Sequence, residues 1–151
     1  MNKERILQIV EESADIPENQ FDTEHWFYLE RGKLTMCPIG YFMIKHPELR
    51  DAFGWFTRDR VRSGHRVIVG DVDKGKCAEY LGLSLDEYYD LFCCPYKTQV
   101  EFADTIKAFI NGEFELRECY HCNCRYEALP DDEKQVCDSC AQDMLEMLGM
   151  L

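Results

Sequence analysis

The chain has 151 residues, 46% hydrophobic and 13% aromatic, with a formal charge of −12. That is enough apolar material for one ordinary domain, or a main domain with a small appendage, and it excludes global disorder. No apolar run reaches the roughly 18 residues of a membrane-spanning helix, and the N-terminal apolar run is too short for a signal sequence, so a cytoplasmic protein is expected.

Ile6, Leu7, Ile9 and Val10 recur at helical spacing and predict an amphipathic helix over 3–12. Residues 14–24 are polar, contain Pro17 and read as a loop. Residues 25–30 and 33–37 flank Arg31-Gly32 as the arms of a short hairpin. Pro38 suits the first turn of a helix running through Ile44. Arg60-Val61-Arg62 and Arg66-Val67-Ile68-Val69 flank Ser63-Gly64-His65 as a second hairpin. Cys77, Ala78, Tyr80 and Leu81 then make a short helix that Gly82 ends. Ser84-Leu85-Asp86-Glu87 and Thr98-Gln99-Val100-Glu101 are capping boxes, in which a hydroxyl accepts an amide three residues on and a carboxylate reaches back. They open helices that carry Leu85, Tyr88, Tyr89 and Phe92, and Val100, Ala103, Ile106, Phe109 and Ile110, with Asn111-Gly112 as the last stop.

The strongest motif lies beyond that stop. Cys119-Tyr-His-Cys122 and Cys137-Asp-Ser-Cys140 are two Cys-x-x-Cys pairs separated by fourteen residues. Each pair offers two sulfurs from one turn, and the loop between them completes a tetrahedron, so the expectation is one structural Zn²⁺ held by Cys119, Cys122, Cys137 and Cys140. His121 and Cys124 are decoys in this reading. The first pair is expected to run into a hairpin with Pro130-Asp131-Asp132 near its tip. The second opens a helix, where free amides and the helix dipole favour thiolate. This order of knuckle, hairpin and helix resembles a treble-clef finger. The fold expectation is therefore α+β: a helix-rich main domain with short hairpins over 1–112, and a four-cysteine zinc module with a C-terminal helix over 113–151.

Nine cysteines, an odd count, point to a reducing compartment. Through residue 112 there are 14 Lys/Arg against 19 Asp/Glu, and beyond it 3 against 10, so the tail is the most acidic region. Such a surface repels phosphate and attracts basic partners. The helix after Leu81-Gly82-Leu83-Ser84 sits where a helix-turn-helix would place its reading helix, but it offers Asp86, Glu87 and Asp90 with no Lys or Arg. Non-catalytic binding of a protein with a basic surface is the first expectation. The contact candidates are Asp86, Glu87, Asp90, Asp131, Asp132, Glu133, Met144 and Met147. Met144, Met147, Leu148, Met150 and Leu151 form an adaptable stripe that suits either a partner or the protein's own core. Nucleic-acid binding is the alternative, through the one basic cluster, Arg58, Arg60, Arg62 and Arg66 with His65. A third reading is an enzyme with its site near Cys37, a thiol at a helix start, although His25 and His46 have no spaced carboxylate or metal partner. Of the adjacent Cys93 and Cys94, one is expected to face the core and the other the surface.

Cys37-Pro38-Ile39-Gly40, followed by Cys77-Ala78-Glu79-Tyr80-Leu81-Gly82-Leu83-Ser84 and the closing helix, resembles uncharacterised small proteins of phages and mobile elements. These share a Cys-x-x-Gly helix and a Leu-Gly-x-Ser turn. The resemblance covers about half the chain and leaves out the zinc tail. It implies a viral or accessory origin and no particular activity. With that origin the expected partner is a host defence or nucleic-acid-handling protein, and an acidic surface that imitates phosphate would occupy its basic surface as an inhibitor.

Overall fold

Asn2 starts the first helix by accepting the Arg5 amide on its side chain, and α1 (Lys3–Ser13) turns Ile6, Ile9 and Val10 inward. The computed structural model describes residues 1–149, which divide into two units, Met1–Lys107 and the remainder from Ala108.

In the first unit, helices gather beside a four-stranded antiparallel sheet. Cys37 caps α2 (Pro38–Lys45), its sulfur accepting the Gly40 amide at 3.4 Å, and Ile39, Phe42 and Met43 are buried. Gly40 is obligatory, because a Cβ there would land inside the Trp26 carbonyl. A short α3 (Arg50–Phe53) follows. Asp73 caps α4 (Lys74–Leu81), and Gly82 ends it at φ +66°. The capping box at Ser84 opens α5 (Leu85–Phe92) with both arms formed. The second box differs from expectation: Thr98 accepts the Glu101 amide, but the Glu101 carboxylate takes the amide of Lys97. It opens α6 (Gln99–Ile110), and the division between the units falls inside that helix, upstream of 112. Trp26, Tyr88, Phe92 and Phe102 form a chain of ring contacts at 6.2, 5.4 and 5.9 Å. Full burial of such a side chain contributes roughly 1.5–3 kcal/mol.

Both expected hairpins form, and they join. Strands β1 (Phe27–Glu30) and β2 (Lys33–Met36) meet at Arg31-Gly32, and β3 (Phe56–Arg62) and β4 (His65–Asp71) meet at Ser63-Gly64. All four turn residues have positive φ, the two-residue turn geometry whose twist matches that of paired strands. Phe27 and Leu29 pair with Gly70 and Ile68, giving the order β2-β1-β4-β3. The free edge of β2 is covered at its end, where Phe21 bridges Met36 and the Asp22 amide reaches the Met36 carbonyl. Strand β3 is the other edge, and all seven of its residues are exposed.

The second unit is a hairpin and a helix: β5 (Glu115–Glu118), β6 (Arg125–Ala128) and α7 (Asp138–Met147). The hairpin differs from expectation. Its turn is the first Cys-x-x-Cys pair itself, and Pro130-Asp131-Asp132 lie in the loop leading to α7. Among the described residues no helix is long and apolar enough to cross a membrane.

Candidate metal centre

The tight turn at 119–124 is built by backbone bonds that aim two sulfurs to one side. Asn123 donates to the Cys119 carbonyl at 2.9 Å, and Cys119 donates to the Cys124 carbonyl at 2.8 Å, with Asn123 left-handed at φ +61°. The second pair sits at a helix start, with Cys137 in the N-cap position and Cys140 in the first turn. The four sulfurs lie within 4.8 Å of one another, those of Cys122 and Cys137 being 3.8 Å apart. A tetrahedron with metal–sulfur bonds of about 2.3 Å has an edge of about 3.8 Å, so the donor set and its spacing fit Zn²⁺. The four expected ligands are therefore brought together. His121 and Cys124 are exposed and lie outside the group, Cys124 contributing its carbonyl.

The surroundings favour negative charge unevenly. Burial works against ionisation of Cys119, yet the amides of Cys122, Cys137 and His121 outweigh it and hold that thiol down at about 6. The Cys137 amide meets the Cys119 sulfur at 3.3 Å. Cys140 is pushed well up, first by its hydrogen bond to Cys137, then by burial and by the sulfurs of Cys122 and Cys119. Four thiolates this close repel one another, and a divalent cation relieves that repulsion.

Arg117 locks the loop that carries the second pair. From β5 its guanidinium donates to the carbonyls of Asp132 at 2.5 Å, Lys134 at 3.1 Å, Leu129 at 3.2 Å and Pro130 at 3.4 Å, and Nε donates to Glu115 at 2.6 Å. Tyr126, directly opposite Arg117 on β6, donates to the Lys134 carbonyl at 2.9 Å. The Tyr120 amide bonds the Gln135 carbonyl at 2.9 Å, and Lys134 pairs with Asp138 at the start of α7. The only signal for Arg117 in the sequence is a basic residue in an acidic tail, because its partners are mostly main-chain carbonyls.

The partner-binding candidates are spread across both units. In α5, Asp86 is exposed and Asp90 half-buried, while the Glu87 carboxylate is held by the Ser84 amide at 2.9 Å. In the tail, Asp131 and Glu133 are exposed, while Asp132 accepts the Lys134 amide at 2.9 Å. On α7 Met144, Leu145 and Met147 are exposed, Met147 at 86%, as is Leu148 at the helix's C-cap. Met150 and Leu151, also assigned to that stripe, lie outside the described residues.

The basic cluster is split between two faces of the sheet. Arg58, Arg60 and Arg62 share one face of β3, while Arg66 shares the other with Asp59, bonded at 2.7 Å. Arg62 donates to the Tyr28 hydroxyl at 3.3 Å, and His65 pairs with Glu30. The bonds from His65 and then Tyr28 hold the Glu30 carboxyl below its usual range.

Cys37 is fully buried, and desolvation pushes its thiol up to about 12, the opposite of activation. Both histidines have carboxylate partners, which corrects the sequence expectation. His46 meets Glu12 at 2.7 Å and Glu48 at 3.3 Å, and His25 meets Asp22 at 3.5 Å. Glu12 is 34 positions from His46, beyond any local pattern. Asp22, Glu24 and His25 also lie within 4.8 Å of one another. Cys93 and Cys94 are both half-buried, so they do not divide between core and surface. No protein-family model, curated protein or solved structure matches the chain.

Proposed function

We propose that the protein is a non-catalytic accessory protein whose C-terminal unit is a zinc clasp, a knuckle hairpin joined by a loop to α7, presenting that helix to a partner protein with a basic surface. One observation carries this reading: the four sulfurs sit at the root of a helix whose Met144, Leu145 and Met147 are exposed, as is Leu148 at its C-cap. Beside them the helix carries Asp138, Asp143 and Glu146 and no basic residue. Methionine and leucine supply an adaptable apolar contact, and the surrounding carboxylates select a cationic rim. We read the Cys37-x-x-Gly40 helix and the Leu81-Gly82-x-Ser84 turn as those of a phage or mobile-element protein, which makes this an inhibitor that would occupy a basic, nucleic-acid-facing surface of a host protein. The metal's role is structural, since four thiolates fill a tetrahedral zinc and leave no position for substrate.

The test is affinity capture from bacterial extract with the zinc-loaded protein and with Met144→Asp/Met147→Asp. The reading predicts a stoichiometric protein with a basic surface, retained about tenfold less by the variant and released by salt. A set of captured proteins that the variant and salt leave unchanged contradicts it.

A further inference from the structure

The two edges of the sheet are treated differently. The end of β2 is bridged by Phe21, whereas β3 is the edge strand with seven exposed residues. Hairpin geometry fixes which of its main-chain groups point outward. The two-residue turn makes Arg62 and His65 a hydrogen-bonded pair, so Arg60 and Arg58 bond inward to β4 at alternate positions. Thr57, Asp59 and Val61 therefore turn their amides and carbonyls away from β4, toward the open edge.

The side chains on this edge are one-sided. Arg58, Arg60 and Arg62 stand in a row on one face, with the Arg58 guanidinium 5.1 Å from the centre of the Phe56 ring. On the other face Asp59 is neutralised by Arg66, and Val61 is 80% exposed. This pattern disfavours a second copy as the occupant. A two-fold axis lays β3 against itself antiparallel with the same faces aligned, and every register centred between Arg58 and Arg62 then sets arginine against arginine. Like charges directly opposite each other on a sheet are unfavourable, and on an edge they prevent self-pairing.

We infer that β3 is a docking edge for an extended acidic peptide of a partner protein, which adds as a fifth strand and sets carboxylates at alternate positions against Arg58 and Arg60. Main-chain bonds to Thr57, Asp59 and Val61 hold the strand, and the arginine row selects its charge. This surface is opposite in sign to the acidic one and is independent of the zinc clasp.

An NMR titration of the full zinc-loaded chain tests it, with a soluble peptide of about eight alternating Thr and Glu residues as the probe. A Thr-Lys peptide and single-stranded oligo-dT are the comparisons. The expected result is saturable shifts centred on the amides of Thr57, Asp59 and Val61 with the acidic peptide and none with the Thr-Lys peptide. Arg58→Glu/Arg60→Glu weakens binding at least tenfold. Val61→Pro abolishes it, because proline removes an outward amide and leaves the bonds to β4 intact. Thr57→Pro replaces that variant if it does not fold. Absence of binding overturns the inference and leaves the arginines as guards of the edge. Binding that survives both proline variants overturns strand addition. Oligo-dT binding as tight as the peptide's, and indifferent to proline, overturns it too and assigns the face to phosphate instead.

Discussion

Arg117 carries more of the clasp than its place in the sequence suggests. Four carbonyls from 129–134 converge on its guanidinium, and that loop sets where Cys137 begins α7. Arg117→Ala is expected to destabilise the tail, because the carbonyls of Leu129, Pro130, Asp132 and Lys134 lose their shared charged donor. Zinc transfer to a chromogenic chelator should become about tenfold faster, and Arg117→Lys should not restore it, since an ammonium lacks the planar fork. The shielded thiols of the first unit make its stability sensitive to alkaline pH. Desolvation raises Cys37 and Cys77 to about 12 and Cys93 to about 11, from 9.0 when unfolded. Between those values the unfolded chain has released protons that the folded chain keeps. Their contribution is complete below pH 9 and is lost as the pH climbs toward 12. Thermal melts of the first unit should fall across that window, less steeply in Cys37→Ala.

Most of the helices and both turns of the sheet were legible because their determinants are local. Ser84 caps α5 from within its motif, Gly82 ends α4, and Arg31-Gly32 and Ser63-Gly64 carry the positive φ that hairpins need. The Asn2 and Asp73 caps and the short α3 were not legible. Removing the cap in Ser84→Ala should cost about 1 kcal/mol in a denaturant melt. Gly40→Ala is expected to cost at least about 3 kcal/mol, because backbone rather than a movable side chain occupies the space. The pairing of β1 with β4 was not legible. Phe27 meets Gly70 far along the chain, and nothing in either strand announces the other. The tail hairpin was misplaced for a related reason. Pro130-Asp131-Asp132 has turn composition, but the backbone bonds of the knuckle at Cys119 and Asn123 determine where the chain reverses.

Across the whole molecule, charge and chemistry are segregated. The exposed edge strand carries three of the 17 basic residues in one row, while the tail from 113 onward holds 10 of the 29 acidic ones. Cys119, Cys122, Cys137 and Cys140 were legible as a ligand set because two motifs had to agree in spacing. The split of Arg66 from Arg58, Arg60 and Arg62 was not, since it depends on strand register. Everything proposed for α7 rests on the metal at its root, and the coordination shell is directly measurable. Zinc-edge X-ray absorption on protein purified without added metal should show one zinc per chain, with four sulfurs at about 2.3 Å and no nitrogen or oxygen. A shell containing a histidine nitrogen or a water oxygen would contradict the account, as would a folded tail that carries no zinc.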